Sequence, residues 1–262
     1  MIYQQKRLHY EVIGKGPAVL LVHGFGEDSS VWRNQRDALP GFQLILPDLP
    51  GSGSSEMIDD MSMEGLADSL LAILDQEQID QCILIGHSMG GYVSLAFAEK
   101  YADRLNGLGL FHSTAFADSE AKIETRRKGI QFIQEYGAFA FLKTSTPNLF
   151  SPMTKANQNH LVEEQVQRSA SFTDAALISY YESMIKRPDR TALLKLMTLP
   201  VLFIMGKHDT AVPLQDSLQQ CHLPALSYVH ILKESGHMGM LEQVTESNKY
   251  LLDYILDTSK IS

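Results

Sequence analysis

Gly86-His87-Ser88-Met89-Gly90-Gly91, GHSMGG, follows the apolar run Cys82-Ile83-Leu84-Ile85 and precedes a helical pattern from Tyr92 to Lys100. A hydroxyl residue thus lies between a strand and a helix, with glycine two residues before it and two after. A strand that turns directly into a helix at Ser88 forces that residue into a strained conformation. It also brings the two elements so close that side chains at the −2 and +2 positions collide, and glycine removes them. In this context G-x-S-x-G reads as a nucleophile elbow, which holds the Ser88 hydroxyl out on a sharp turn. The helix that starts at Met89 directs its positive end to the same point. The Met89 backbone N–H is then free to stabilise a developing oxyanion. Taken alone the motif is weak, because a tight turn or a packed glycine cluster gives the same letters. Companion motifs decide.

Ala18 to Val22, Gln43 to Leu46, Leu105 to Phe111 and Val201 to Met205 resemble the run before the elbow. Runs that are apolar on both faces suit a parallel sheet covered by helices. Between them lie helical patterns such as Met63 to Gln78, with Met63, Leu66, Ala67, Leu70, Leu71 and Leu74 at helical spacing. Alternating strands and helices imply a doubly wound α/β sheet. Ile2 to Val12 is expected to add antiparallel strands at one edge. From about Thr114 to Thr198 no strand candidate occurs; Ala121 to Tyr136, Ala138 to Leu149, Lys155 to Ser171 and Thr173 to Lys186 read as helices. This is an all-helical insertion within the sheet.

A serine hydroxyl needs a base to take its proton. The base is expected to be histidine, with a carboxylate to fix its tautomer, in the chain order Ser, acid, His. Gly206-Lys207-His208-Asp209-Thr210 follows a strand and offers Asp209; Ser235-Gly236-His237-Met238 follows the expected strand Ser227 to Leu232 and offers His237. Ser88, Asp209 and His237 then emerge on one edge of the sheet, where ligands bind in open α/β folds. His23-Gly24-Phe25-Gly26 follows the strand Ala18 to Val22, and the Phe25 N–H is placed to pair with that of Met89.

With these residues assembled, the whole chain resembles the α/β-hydrolase superfamily. The matching elements are HGFG at 23 to 26, DLPGSGSS at 48 to 55, GHSMGG at 86 to 91, RPDRTALL at 187 to 194, GKHDTAVP at 206 to 213 and SGHMGMLE at 235 to 242. The resemblance implies an α/β-hydrolase fold: a mostly parallel central sheet with helices on both faces and a helical cap between its sixth and seventh strands. Residues 1–113 and 199–262 would form the core and residues 114–198 the cap. It implies Ser88 as nucleophile, His237 as general base, Asp209 as its orienter, and Phe25 and Met89 as oxyanion donors. The expected activity is hydrolysis of a carboxylic ester, lactone or thioester with a small to medium apolar acyl group, without metal or cofactor. Ser88 argues against the dehalogenases and epoxide hydrolases of the superfamily, which place Asp at the elbow. Carbon–carbon bond hydrolases commonly have Asn where this chain has His87, which weakens that alternative. A hydrolase-fold ligand receptor with slow or single turnover is the alternative from another class.

Other polar residues carry blander expectations. His208 adjoins Asp209, but neighbours on a loop usually point apart. His87 is expected to pack or cap, His23 to brace the oxyanion loop, and Asp48 to hold a Pro/Gly turn. His112 either lines the pocket or is structural. Glu242 is expected to be a local hydrogen-bond partner near His237. Trp32 packs beneath the oxyanion loop or lines the pocket. Of Phe116, Phe139, Phe141, Phe150, Met153, Phe172 and Met184, most should form cap core and some an apolar pocket.

The 262 residues are 44% hydrophobic and 20% charged, as in an ordinary soluble globular protein. The net charge of −9 argues against a nucleic-acid partner, and the run Arg126-Arg127-Lys128 reads as a solvated helix face. Cys82 and Cys221 read as plain thiols. No apolar stretch reaches the ~18 residues of a bilayer span and no signal peptide is evident, so a cytoplasmic protein without stable membrane insertion is expected. The oligomeric state is left open.

Overall fold

The computed structural model describes residues 1–259. Nine strands are present among them: β1 (Ile2–Tyr3), β2 (Lys6–Arg7), β3 (Tyr10–Gly14), β4 (Ala18–Val22), β5 (Gln43–Pro47), β6 (Cys82–His87), β7 (Leu105–Phe111), β8 (Val201–Gly206) and β9 (Ser227–Leu232). Seven form one sheet in the order β3-β5-β4-β6-β7-β8-β9. Only the β3–β5 pair is antiparallel; every other neighbouring pair is parallel. β1 and β2 make a separate two-stranded ribbon. The expected antiparallel edge is therefore β3 alone.

The sheet separates two apolar layers. Leu20, Val22, Leu84 and Phe203 pack on one side, with residues of α1 (Met63–Gln76) and α2 (Met89–Lys100). Val19, Leu21, Ile83, Ile85, Leu202 and Ile204 pack on the other, with Leu251, Tyr254 and Ile255 of α11 (Val244–Thr258). Alternation along each strand sends successive side chains to opposite layers. Both layers are covered, which is why the strands read as continuous apolar runs.

Between β7 and β8 lie α3 (Glu120–Tyr136), α4 (Ala138–Ser145), α5 (Pro152–Asn157), α6 (Asn159–Arg168), α7 (Asp174–Lys186) and α8 (Thr191–Leu196), with no strand. The helical insertion thus follows the fifth strand of this sheet in chain order, or the seventh when the separate β1–β2 ribbon is counted, where the resemblance implied the sixth. Two expected helices are shorter than their apolar pattern. The stretch Lys155 to Ser171 breaks at Gln158, at φ −138° and ψ 42°. The end of Ala138 to Leu149 tightens into a 3-10 turn, Thr146–Leu149, where Pro147 has no N–H to continue an α-helix. Between β8 and β9 lies α9 (Leu214–Leu218), and α10 (Gly239–Glu242) precedes α11.

The register aligns the carboxyl ends of the strands. Val22 pairs with Gly86, His87 with Phe111, Phe111 with Ile204, and Gly206 with Leu232. The loops after β4, β6, β7, β8 and β9 therefore open on one edge. No helix among the described residues is long and apolar enough to cross a membrane.

Candidate active site

Ser88 lies between β6 and α2 at φ 51° and ψ −116°. Its position is fixed from three sides: its N–H donates to the Phe111 carbonyl at 3.0 Å, and its own carbonyl accepts from Gly91 N–H at 2.9 Å and from the Ser113 hydroxyl at 2.7 Å. A Cβ on Gly86 would lie 2.3 Å from the Gly90 carbonyl, and one on Gly90 would lie 2.5 Å from the carbonyl oxygens of Val22 and His23. The flanking glycines are thus dictated by backbone contact, Gly86 against α2 and Gly90 against the end of β4.

The Asp209 carboxylate is buried and fully used. Oδ1 accepts from the N–H groups of Ala211 (2.9 Å) and Val212 (2.8 Å). Oδ2 faces two imidazoles, with His237 Nδ1 at 2.7 Å and His112 Nδ1 at 3.0 Å. Burial alone would raise its pKa; charge on His237 and the hydrogen bonds of both rings instead hold it far below the usual carboxylate range. His237 is pinned through its backbone as well: its N–H donates to the Leu149 carbonyl at 2.6 Å, and its carbonyl accepts from His87 Nε2 at 2.9 Å.

His112 was open to two readings from the sequence; it is buried as a second partner of Asp209. Its φ is 49°. Its ring occupies space left by two glycines, since a Cβ on Gly239 would lie 2.4 Å from Nε2 and one on Gly206 2.8 Å from Cε1. Nε2 is buried without a partner, and burial lowers the His112 pKa despite the carboxylate. The ring is therefore neutral, with its proton on Nδ1. Ligating atoms of His112, Asp209 and His237 all lie within 4.8 Å of one another. Both Nδ1 atoms are engaged with the Asp209 Oδ2 in hydrogen bonds, so the cluster is two imidazoles held on one carboxylate oxygen.

A second buried pair binds the HGFG loop to the elbow. Glu27 Oε2 accepts from the Gly24 N–H at 2.8 Å and faces His87 Nδ1 at 2.9 Å. The other nitrogen of His87 faces the His237 carbonyl, which can only accept, so Nε2 carries a proton. Nδ1 and Glu27 share another. Burial would lower the pKa of His87 and raise that of Glu27, but their mutual charge and hydrogen bond reverse both shifts. The pair is imidazolium and carboxylate. His23, as expected, braces the loop: its rings atoms face the Gly24 carbonyl at 2.8 Å and the Leu49 N–H at 2.9 Å. Among the described residues the N–H groups of Phe25 and Met89 have no protein acceptor. The Phe25 ring stacks on Tyr181 of α7 (centroids 4.3 Å apart) and meets Phe141 of α4 edge-on.

Ser88 and His237 line one cavity of about 520 Å³, together with Phe25, Glu27, Tyr92 and Met184. No hydrogen bond joins the Ser88 hydroxyl to the His237 ring. The expected apolar lining is only partly met. Of the seven aromatic and Met residues singled out in the sequence, Met184 alone lines the cavity; Tyr181 joins it, and Lys122, Thr125, Arg126 and Asp216 are there too. Phe150 is core, while Phe139 and Met153 are exposed at 37% and 49%. Arg126 corrects the reading of its basic run: Arg127 and Lys128 are exposed, but the Arg126 side chain is only 12% exposed.

The remaining expectations sort as follows. Asp48 holds its turn by accepting from Ser29 and Ser54 N–H, both at 2.9 Å. Trp32 is fully buried, edge-on to Phe111 and His87, and does not line the cavity. His208 is exposed, away from this cavity. Glu242 does more than expected. It accepts from Ser235, Gly236 and Met238 around His237 and from Ser151 and Thr154 of the insertion. Cys82 is buried and Cys221 partly so, both free, and burial pushes the Cys82 thiol up to about 12. Glu27 was not foreseen; its only signal was a carboxylate one residue beyond HGFG.

The family described as alpha/beta hydrolase fold matches residues 17–244. The 2-hydroxy-6-oxo-6-phenylhexa-2,4-dienoate hydrolase of Comamonas testosteroni is 26% identical over 273 residues, 95% of this chain and 91% of that protein. Among solved structures, a thermophilic esterase from Thermogutta terrifontis with malate bound superposes with a TM-score of 0.92 at 31% identity, covering 97% of this chain and 94% of that one. The enol-lactonase from Burkholderia xenovorans LB400 shares the fold, with a TM-score of 0.89 at 22% identity over 97% and 98% of the two chains.

Proposed function

The chain belongs to the α/β-hydrolase fold family, and we propose that within it the molecule is a serine hydrolase. It cleaves a carboxylic ester, lactone or thioester of small to medium size through an acyl-enzyme on Ser88. Residues 1–113 and 199–259 serve as core and residues 114–198 as cap; residues 260–262 of the expected core lie outside the described residues. The observation that carries this reading is that Ser88 and His237 line one cavity while Asp209 grips His237 Nδ1 at 2.7 Å.

With Nδ1–H donated to Asp209, His237 keeps a lone pair on Nε2 and acts as general base. As the substrate enters, the Ser88 hydroxyl attacks the acyl carbon and Nε2 takes its proton; such contacts commonly tighten only once substrate is bound. The Phe25 and Met89 N–H groups hold the oxyanion, each worth roughly 10²–10³ in turnover. His237 then gives its proton to the departing alcohol. A water deprotonated by His237 attacks the acyl-enzyme and releases the acid. The cavity falls within the roughly 300–1,000 Å³ of small-molecule sites.

A second reading, hydrolysis of a carbon–carbon bond, is favoured by the 26% identity to the Comamonas testosteroni dienoate hydrolase. Against it stands His87, which is engaged with Glu27 at the position where those enzymes commonly carry Asn. A steady-state panel of aryl esters of increasing acyl length, one lactone, one acyl thioester and one 2-hydroxy-6-oxo dienoate separates the readings. Multiple turnover of an ester-class compound, at least about tenfold faster in kcat/KM than the dienoate, is expected. Faster cleavage of the dienoate overturns it, and a single stoichiometric turnover on every compound marks a receptor.

A further inference from the structure

One wall of the cavity is polar in a way that ester hydrolysis alone does not require. Ala121, Lys122, Thr125 and Arg126 line it from a single face of α3. Arg126 donates through Nε and Nη2 to the carboxylate of Asp118, leaving Nη1 without a protein acceptor among the described residues. The same carboxylate accepts from Arg187 Nη2 at 2.8 Å. The Asp118 side chain is fully buried, and the Arg126 and Arg187 side chains are 12% and 3% exposed. Two buried guanidinium groups share one carboxylate.

A structural fastening needs one arginine for one carboxylate; a second buried cation adds desolvation cost without a partner of its own. Arg187 is committed to structure. It donates to the Met184 and Phe116 carbonyls and lies 3.9 Å from the Tyr92 ring centroid. Arg126 holds Asp118 with two donors and lies 5.4 Å from the Tyr181 ring centroid, so the surplus positive charge belongs to the arginine pair as a whole; Arg126 is the member of that pair that lines the cavity. Lys122 stands on the same wall with its ammonium 2.7 Å from the Ala211 carbonyl. The acids lining the cavity do not cancel this. Glu27 shares its charge with His87, which leaves Asp216 of α9 as the one other carboxylate lining the cavity, against Lys122 and Arg126. In a chain of net charge −9, a cationic wall confined to the substrate cavity is a local feature.

We propose that Arg126, supported by Asp118 and with Lys122 beside it, forms a subsite for a carboxylate carried by the substrate, so that the substrate is a monoester or lactone of a dicarboxylic acid. The inference rests on the hydrolase reading for its acyl chemistry but not for its binding. The Nε–Nη2 fork of Arg126 is taken by Asp118, so the substrate carboxylate is met by Nη1 and the Lys122 ammonium, and a hydrogen bond to a charged partner gives larger discrimination than a neutral one.

The experiment uses monomethyl esters of dicarboxylic acids from malonate to adipate. Each is paired with the neutral ester in which an isopropyl group replaces the carboxylate. Wild type is expected to favour the charged member in kcat/KM, and Arg126→Met to lower that preference ratio by roughly 10- to 100-fold, with Arg126→Lys between. The ratio is taken within one sample, so a smaller folded fraction cancels. A wild type without the preference, or a ratio unmoved in Arg126→Met, overturns the proposal. Calorimetric binding of monomethyl glutarate to Ser88→Ala, and to the same variant carrying Arg126→Met, separates the two readings. Arg126-dependent binding to the Ser88→Ala protein, together with a wild type that hydrolyses none of the esters, sustains the subsite and removes the hydrolase; absence of any Arg126 dependence removes the subsite and leaves the hydrolase standing.

Discussion

Asp209→Asn lowers kcat by about 10³–10⁴-fold while the protein stays folded, the scale at which the corresponding change acts in a Ser-His-Asp protease. The structure dictates which way the new amide faces. The N–H groups of Ala211 and Val212 donate to Oδ1, so the amide oxygen must remain on that side. The NH2 then takes the place of Oδ2, 2.7 Å from His237 Nδ1 and 3.0 Å from His112 Nδ1. A donor opposite Nδ1 forces the His237 proton to Nε2, where the lone pair that accepts the Ser88 proton is needed. The imidazolium formed during turnover also loses its counter-charge. Steady-state kinetics on the best ester, with thermal unfolding as the folding check, measures this. A loss below about tenfold would mean that Asp209 does not orient the base.

Glu27→Gln destabilises the fold by about 3 kcal/mol, the lower end of the cost of removing one partner from a buried ion pair. The glutamine oxygen can still accept from Gly24, but His87 then has one proton for two acceptors unless it carries an uncompensated buried charge. For a chain of this size each kcal/mol moves the melting temperature by roughly 2–4 °C. A drop of about 6–12 °C is expected near neutral pH. The sign of the pH dependence follows from the two shifts. The Glu27 pKa is lowered, so its contribution is present above the ordinary 4.5 and is lost as pH falls through the lowered value. The His87 pKa is raised, so its contribution is fully present below the ordinary 6.5 and is lost as pH rises through the raised value. The gap between wild type and Glu27→Gln is therefore widest below the ordinary histidine value of 6.5 and narrows as pH rises through the raised His87 value. A melting-temperature gap independent of pH between 5 and 10 would contradict the ion pair.

The elbow was legible because its glycines answer to backbone collisions that any strand-turn-helix must avoid. Gly86 and Gly90 meet those collisions within five residues of sequence. The sheet was legible because strands covered on both faces leave continuous apolar runs. The partners of the site were not legible in the same way. His87 meets Glu27 across 60 residues, and His112 meets Asp209 across 97. Parallel pairing of β4, β6, β7 and β8 aligns their ends and creates these contacts, and no local spacing marks them. Arg126 failed for a related reason: α3 turns it inward while Arg127 and Lys128 face water, a distinction that adjacent letters do not carry. The apolar pocket expected from the aromatic residues of the insertion gave way to a mixed one. Those rings are consumed largely in packing the insertion, as Phe141 is against Phe25 and Tyr181.

The most direct test of the account is to trap the acyl-enzyme. Wild type mixed with an aryl ester and quenched within the first turnover should release up to about one equivalent of phenol per enzyme. The acyl group should be recovered by mass spectrometry on the peptide that contains Ser88, and Ser88→Ala should lose both the adduct and multiple turnover. An adduct on another residue, or a Ser88→Ala variant that turns over the ester at the wild-type rate, would contradict it.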